Sequence, residues 1–451
     1  MQLGQIKKGL EVVKRDRQSI GQAMRLAYYP VVAVSAEGSK VWDKDGNEYI
    51  DFLGGAAALP IGHRHPEVVN AIHEQTDRLI HHPPLYGYHE LAVDLAEKLN
   101  QLPPGDFPKK TIYQLAGAAA MDLTVKLVRV GTRRTKIITF LKGYYGALYG
   151  ALSLSAFSTV QRRYLGPFIP EIYHVPFADC YRCVFKQQYP DCGLACLDYL
   201  KTVLRHLVPP EEVAAIITEP VGSDGGYIFP HAEWLKGLQE ICQEYGMLFA
   251  LDEIQTGCGR CGSWFLSEQY DLTPDLVAFG KGFSAGVPLS GVIGRASVMD
   301  ELKPPSAIGT GVANPIACAV TLAVMEVIKR DNLIEQCKKM GAYLKKRFEE
   351  MKKEHPLIGD VRGKGMLIGV DLVKDQKTRE PACLEASKVC WRSGELGLIL
   401  TTLGESVLRV CPAYNLSQEE ADRGLEIIDN SLSDVEKGKI PDKVVASLSP
   451  W

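Results

Sequence analysis

Two apolar runs in this chain end on opposite charges. Met247-Leu-Phe-Ala-Leu-Asp252 closes on a carboxylate, and Leu276-Val-Ala-Phe-Gly-Lys281 closes on an amine about one crossover connection later. A lysine at the mouth of an apolar strand is costly unless it is used. Partial burial lowers the pKa of an amine toward neutrality, which suits Schiff-base chemistry, and a nearby carboxylate can hold the proton of a pyridinium nitrogen. The plainer alternative is an Asp–Lys ion pair that closes the sheet. A third apolar run, 213–218, leads into Glu219. Four thiols form another group: Cys180-x-x-Cys183 and Cys192-x-x-x-Cys196 have nearly the spacing of a structural zinc site. Free thiols or a stapling disulfide are the alternatives, and no metal is assigned.

These residues need a scaffold that brings strand ends together. From about residue 66 to 305, short apolar strands (136–141, 213–218, 247–252, 276–280) alternate with helices such as 234–245, which implies a mostly parallel, helix-covered sheet. In such sheets ligands collect at the carboxyl ends of the strands, where Glu219, Asp252 and Lys281 stand. Before this region, 31–53 reads as a β-hairpin around Asp45-Gly46. After it come an apolar helix 316–330, a Lys/Glu-rich helix 333–353, strands 360–373 and 398–403, and a helix 418–432. The four cysteines fall in an irregular segment, 179–197. The expected fold is α/β, with a large central domain (61–310) and a small α/β domain built from both termini (1–60 and 311–451).

With 451 residues, 46% hydrophobic and 23% charged, the composition is that of an ordinary globular protein. A net charge of −3 lacks the electrostatic footprint of a nucleic-acid or anionic-membrane binder. The N-terminal segment has no apolar run like that of a signal peptide, and no stretch is long and apolar enough to span a bilayer, so a cytoplasmic protein is expected. Twelve cysteines are too dilute for a disulfide scaffold.

The residues around the strand ends narrow the chemistry. Asp252-Glu-Ile-Gln-Thr-Gly-Cys-Gly-Arg-Cys-Gly262 and Phe279-Gly-Lys281-Gly-Phe-Ser-Ala-Gly-Val-Pro-Leu-Ser290 resemble the central signature of class-III aminotransferases, fold-type-I enzymes that use pyridoxal 5′-phosphate. The resemblance continues through Asp43-Lys-Asp-Gly-Asn-Glu-Tyr-Ile-Asp51, Gly62-His-Arg-His-Pro66, Glu219-Pro-Val-Gly-Ser-Asp-Gly-Gly226, Thr310-Gly-Val-Ala-Asn-Pro315 and His355-Pro-Leu-Ile-Gly-Asp-Val-Arg-Gly363. It implies that Lys281 carries the cofactor, that Asp252 pairs with the pyridine nitrogen, and that Gln255 and Glu219 lie beside the ring. It also implies a homodimer or dimer of dimers, with Thr310 reaching the partner subunit's cofactor phosphate. Within the signature, Gly257-x-Gly259-x-x-Gly262 matches a dinucleotide fingerprint, but it lies deep in the sheet rather than opening a βαβ unit.

Gly117-Ala118-Ala119 opens a helix running to about residue 130, and a helix N-terminus is a ready phosphate cradle. The family usually has Gly-Ser-(Asp/Glu)-Ala here, so Ala118 and Ala119 keep the backbone donors and lose the side-chain bond. That loss leaves room for a weakened or non-catalytic paralogue. Gly143-Tyr-Tyr-Gly146 resembles the family's aromatic-His-Gly element, with Tyr144 stacking on the ring and Tyr145 replacing the usual His at the substrate.

The reaction turns on a second acid/base group across from Lys281. Asp224 is the candidate. The Ser-Asp-Gly-Gly form resembles the family's racemase branch, as do 355–360, Lys377-Thr-Arg-Glu-Pro381 and Trp451; 4-aminobutyrate and ornithine aminotransferases carry Glu at the corresponding position. The plainer reading of Asp224 is a turn-forming residue before Gly225. Arg409 matches the family's α-carboxylate arginine, whose planar fork suits bidentate recognition. Ala147 stands where 4-aminobutyrate aminotransferases carry an arginine for the distal carboxylate, which favours a neutral or apolar amino acid. The lead expectation is an amino-acid racemase or 2-epimerase, with a class-III aminotransferase as the alternative.

Overall fold

The computed structural model describes residues 6–26 and 28–445; Trp451 lies outside them. The chain gathers into two compact units, one of residues up to 65 together with those from 335, the other of 66–334. The boundaries expected from sequence were 60/61 and 310/311.

In the first unit, β1 (Ala33–Glu37), β2 (Lys40–Asp43) and β3 (Glu48–Asp51) form an antiparallel meander. Asp43 shapes the β2–β3 turn. Its Oδ1 accepts the N–H groups of Asp45 (2.9 Å) and Asn47 (2.8 Å), while Gly46 takes a left-handed φ of +87°.

The second unit is built on a seven-stranded sheet of β4 (Lys109–Gln114), β5 (Lys136–Phe140), β6 (Ile172–Val175), β7 (Val213–Thr218), β8 (Leu248–Asp252), β9 (Leu276–Phe279) and β10 (Ser290–Arg295), in the order β4-β10-β9-β8-β7-β5-β6. Strands β5 to β9 run parallel and β10 is antiparallel to both neighbours, giving the mostly parallel α/β sheet that the apolar runs imply. Every residue of β7 and β9 is buried, as expected of strands covered on both faces. Helix α1 (Gly117–Thr132) lays Ala120, Met121, Thr124, Leu127 and Val128 inward, the i, i+3, i+4 spacing of one helical face. Helix α2 (Ala232–Tyr245) stops at Gly246, whose left-handed backbone returns its N–H to the Cys242 carbonyl. Asn314 caps α3 (Pro315–Arg330), with Pro315 at the first helical position.

The C-terminal part holds α4 (Leu333–Met351), β11 (Ile358–Lys364), β12 (Leu367–Leu372), β13 (Leu398–Ile399), β14 (Thr401–Leu403), β15 (Val407–Val410) and α5 (Gln418–Glu436). Two expected strands are each divided. The stretch 360–373 folds back on itself as the β11–β12 hairpin, because Gly365 supplies the positive φ of a two-residue turn. The stretch 398–403 changes sheets: β13 pairs parallel with β3, whereas β14 pairs with β15 in the β11-β12-β15-β14 sheet. Among the described residues, no helix is long and apolar enough to cross a membrane.

Candidate active site

Because β7, β8 and β9 are adjacent and parallel, the residues that end them share one edge of the sheet. Glu219 follows β7, Asp252 closes β8, and Lys281 comes two residues after β9. The Lys281 ammonium donates to Gln255 Oε1, which joins the β8 and β9 ends directly. Lys281 itself has a φ of +42°. A side chain held in the left-handed region costs about 1–3 kcal/mol, a strain that collects at functional sites.

The carboxylates are crowded. Glu219, Asp224 and Asp252 are all buried, and Asp252 lies within electrostatic reach of the other two. Burial pushes the Asp252 carboxyl well above its ordinary range; the charges of Glu253 and Asp224 add to this, while the Ile254 N–H bond and Lys281 oppose it. Burial likewise raises Glu219, helped by the charge of Asp252 and resisted by two backbone bonds. Those bonds tie two loops together: Glu219 Oε1 accepts the Tyr144 N–H at 2.9 Å and Oε2 accepts the Ser223 N–H at 3.1 Å.

Helix α1 begins against the end of β8, where a Cβ on Gly117 would stand 3.0 Å from Ile254 Cδ1, and its N-cap, Ala116, offers no side-chain bond. The Ala119 N–H already donates to the Ala116 carbonyl at 2.9 Å, and the N–H groups of Gly117 and Ala118, ahead of that bond, remain available to an anion. Gly146 packs on Ala118, for a Cβ at Gly146 would stand 2.3 Å from the Ala118 Cβ. Tyr144 is half-buried, edge-on to Phe157 with ring centroids 5.3 Å apart.

Tyr145 corrects an expectation. Its ring is buried in the core, its hydroxyl accepts from Thr139 Oγ1 at 3.1 Å and donates to the Ile217 carbonyl, and its N–H donates to Ser155 Oγ. It supports the Tyr144 loop from behind and is withdrawn from substrate contact. Thr310 is exposed. In the other unit, Arg409 on β15 is buried and donates to the Ala56 carbonyl at 3.1 Å. Sequence reading missed the turn that presents this carbonyl. Gly54, Gly55, Ala56 and Ala57 all have left-handed φ values, from +55° to +67°, and the Gly54-Gly55 pair was the available signal.

The dinucleotide fingerprint has no matching structure. Gly257–Gly262 lies in successive turns followed by a short 3-10 segment, Leu266–Tyr270, where a nucleotide-binding motif needs a long helix. Cys180, Cys183, Cys192 and Cys196 are free thiols lining one cavity with Phe177 and Trp234. Among the described residues, no group of three or more His, Cys, Asp or Glu side chains stands where it could hold a metal ion.

The class-III aminotransferase family model matches residues 23–432. The chain belongs to that family. It is 40% identical over 98% of its length to a leucine/methionine racemase of Thermococcus litoralis, 99% of which is covered. It is 36% identical over 97% of its length to an isoleucine 2-epimerase of Lentilactobacillus buchneri, 98% of which is covered. Among solved structures, a taurine:2-oxoglutarate aminotransferase from Bifidobacterium kashiwanohense, in complex with PLP and glutamate, matches with a TM-score of 0.89 at 26% identity, over 95% of this chain and 98% of that one.

This class-III enzyme has the fold-type-I architecture and uses pyridoxal 5′-phosphate. The residues at the sheet edge fit that group. An amine at the mouth of β9 suits its aldehyde, an uncapped helix start suits its phosphate, and the buried Asp252 and Glu219 carboxyls, held toward the neutral form by burial, would ionise against a protonated pyridine nitrogen. Amino acids are the substrate class expected of the family.

Proposed function

We propose that this enzyme racemises or epimerises neutral or apolar amino acids at Cα. The observation that carries the reading is the placement of Asp224: it is 4% exposed, on the loop after β7, within electrostatic reach of both Asp252 and Glu219 at the edge that carries Lys281. When bound, the cofactor supplies an electron sink for the pair left at Cα. Lys281 takes and returns the α-proton at Nζ on one face, and the Asp224 carboxyl does so on the other. Asp252 holds the pyridine nitrogen's proton, with Gln255 and Glu219 beside the ring and Tyr144 against its face. The helix start at Gly117, Ala118 and Ala119 receives the phosphate, with the N–H groups of Gly117 and Ala118 as its donors. Arg409 reads the substrate carboxylate with its fork, and no arginine stands at Ala147 for a second one. The names of the racemase and epimerase relatives support the same reading.

The working enzyme is a cytoplasmic homodimer or dimer of dimers in this reading, with Thr310 serving the partner subunit's phosphate. Tyr86, Tyr88 and Tyr164 are 84%, 96% and 95% exposed in the single chain, which supports burial of that surface by a second copy. Transamination is the second reading, supported by the aminotransferase fold neighbour.

The test incubates holoenzyme in D₂O with single enantiomers of leucine, methionine, isoleucine and alanine, without a keto-acid acceptor, and follows chirality and Cα deuterium. Inverted product carrying deuterium is expected. Deuterium with retained configuration would replace this reading with an aminotransferase, and no exchange at all would point to a non-catalytic paralogue.

A further inference from the structure

The loop that carries Asp224 is held at three points. Gly222 bridges to Ile228 across its neck, Ser223 donates to Glu219, and the third point is Lys142. A Cβ on Gly225 would stand 2.5 Å from the Lys142 carbonyl oxygen and 2.9 Å from its Cβ, so the residue after Asp224 lies flat against the Lys142 backbone. Only glycine permits that approach.

Lys142 is itself in an unusual state. Its φ is +68°, a conformation side chains rarely adopt, and it stands two residues before Tyr144. Its N–H donates to the Ala156 carbonyl at 3.0 Å, and its ammonium pairs with Asp179 Oδ2 at 2.6 Å. Asp179 is buried and anchored in turn, since its Oδ1 accepts the N–H groups of Tyr181 (3.1 Å) and Arg182 (3.0 Å). Phe177, two residues earlier, packs toward Gly222 on the same loop. A strained backbone persists only where its surroundings over-determine it, and here the surroundings are an ion pair on one side and the Asp224 loop on the other.

We propose that Lys142 and Asp179 are positioning residues that set the place of Asp224 relative to Lys281. The inference rests on the reading of Asp224 as the second acid/base group. The pair is assigned no contact with substrate or cofactor; it fixes the surface against which Gly225 docks. Displacing a reacting group by about 1 Å can cost on the order of 100-fold in rate, so loosening this surface slows only the step that Asp224 performs.

The experiment uses holoenzyme, D₂O and the best substrate of the panel above, taking the enantiomer whose α-hydrogen faces Lys281. Exchange with retention then reports Lys281, and inversion reports Asp224. Asp179→Asn, nearly isosteric, and Lys142→Met should each slow inversion by roughly 10-fold or more, with retention exchange and KM within about twofold of the parent. Lys142→Arg should restore inversion, and Gly225→Ala, which pushes from the other side of the contact, should lose it. Equal loss of both exchanges, or no change in either, would overturn the proposal. Asp224→Asn separates the two failures. If it stops inversion while Asp179→Asn and Lys142→Met do not, the positioning role alone falls; if it leaves inversion intact, the Asp224 reading falls and takes the positioning role with it. Should Lys142→Met fail to fold, Asp179→Asn and the arginine variant carry the same comparison.

Discussion

At the residue scale, Ala118 and Ala119 show what a site keeps when a side-chain oxygen is missing. The α1 start retains its backbone donors, and those depend on the helix rather than on residue type. A neutral hydrogen bond contributes about 0.5–1.5 kcal/mol, or roughly 2- to 12-fold in affinity. Ala118→Ser should therefore tighten pyridoxal phosphate by a factor in that range, measured by titrating cofactor-free enzyme and following absorbance. An unchanged or weaker Kd would mean that the added hydroxyl does not reach the phosphate. The contact of Gly146 with the Ala118 methyl limits how much larger the new side chain can be. The placement of Lys281, Asp252 and Glu219 at strand ends was legible in the sequence because a charge closing an apolar run needs few other facts to be noticed. Lys142 and Asp179 were not. Their work is done by a backbone carbonyl and an ion pair between residues far apart in sequence, and no residue type signals that.

At the element scale, the turn Gly54–Ala57 holds four successive residues in the left-handed region and bonds to Arg409, the residue proposed to read the substrate carboxylate. Two alanines in the left-handed region cost about 1–2 kcal/mol each, and the turn persists because Gly54 lies against the Cys411 carbonyl, 2.4 Å from where a Cβ would be. Its product is the Ala56 carbonyl under the Arg409 guanidinium. Ala56→Gly should relieve the strain and raise stability by about 1 kcal/mol, read as a higher urea midpoint at unchanged slope. Gly54→Ala should lower stability by more than that and raise the KM for amino acids by loosening Arg409; an unchanged KM would detach the turn from substrate binding. Strands β5 to β9 were legible because they are short apolar runs between helices. The division of 360–373 and 398–403 was harder to read, since both stretches stay apolar through the break and only Gly365 marks one of the two turns.

At the scale of the whole molecule, stability and cofactor binding are linked through protons. In the cofactor-free chain, Glu219 and Asp252 keep their protons at pH values where the unfolded chain has released its own, because burial raises both. The native state then binds more protons than the unfolded one, so this contribution falls as pH rises from about 4.5. His355 adds a term of the same sign. It is buried, with Nδ1 2.9 Å from Glu436 and Nε2 2.9 Å from Asp429; burial opposes its charge, but the two carboxylates of α5 outweigh burial and raise its pKa. Its stabilisation is complete below about pH 6.5 and disappears as pH rises through the higher folded value. Tm of the cofactor-free enzyme should thus fall from pH 5.5 to pH 9. Pyridoxal phosphate gives the carboxylates a cation to face, so its addition should flatten part of the slope and leave the part due to His355. His355→Gln separates the two: it should lower Tm most at pH 5.5 and least at pH 9, with or without cofactor. A Tm that rises across this window, or a His355→Gln loss that grows with pH, would show that these groups do not carry the protons assigned to them.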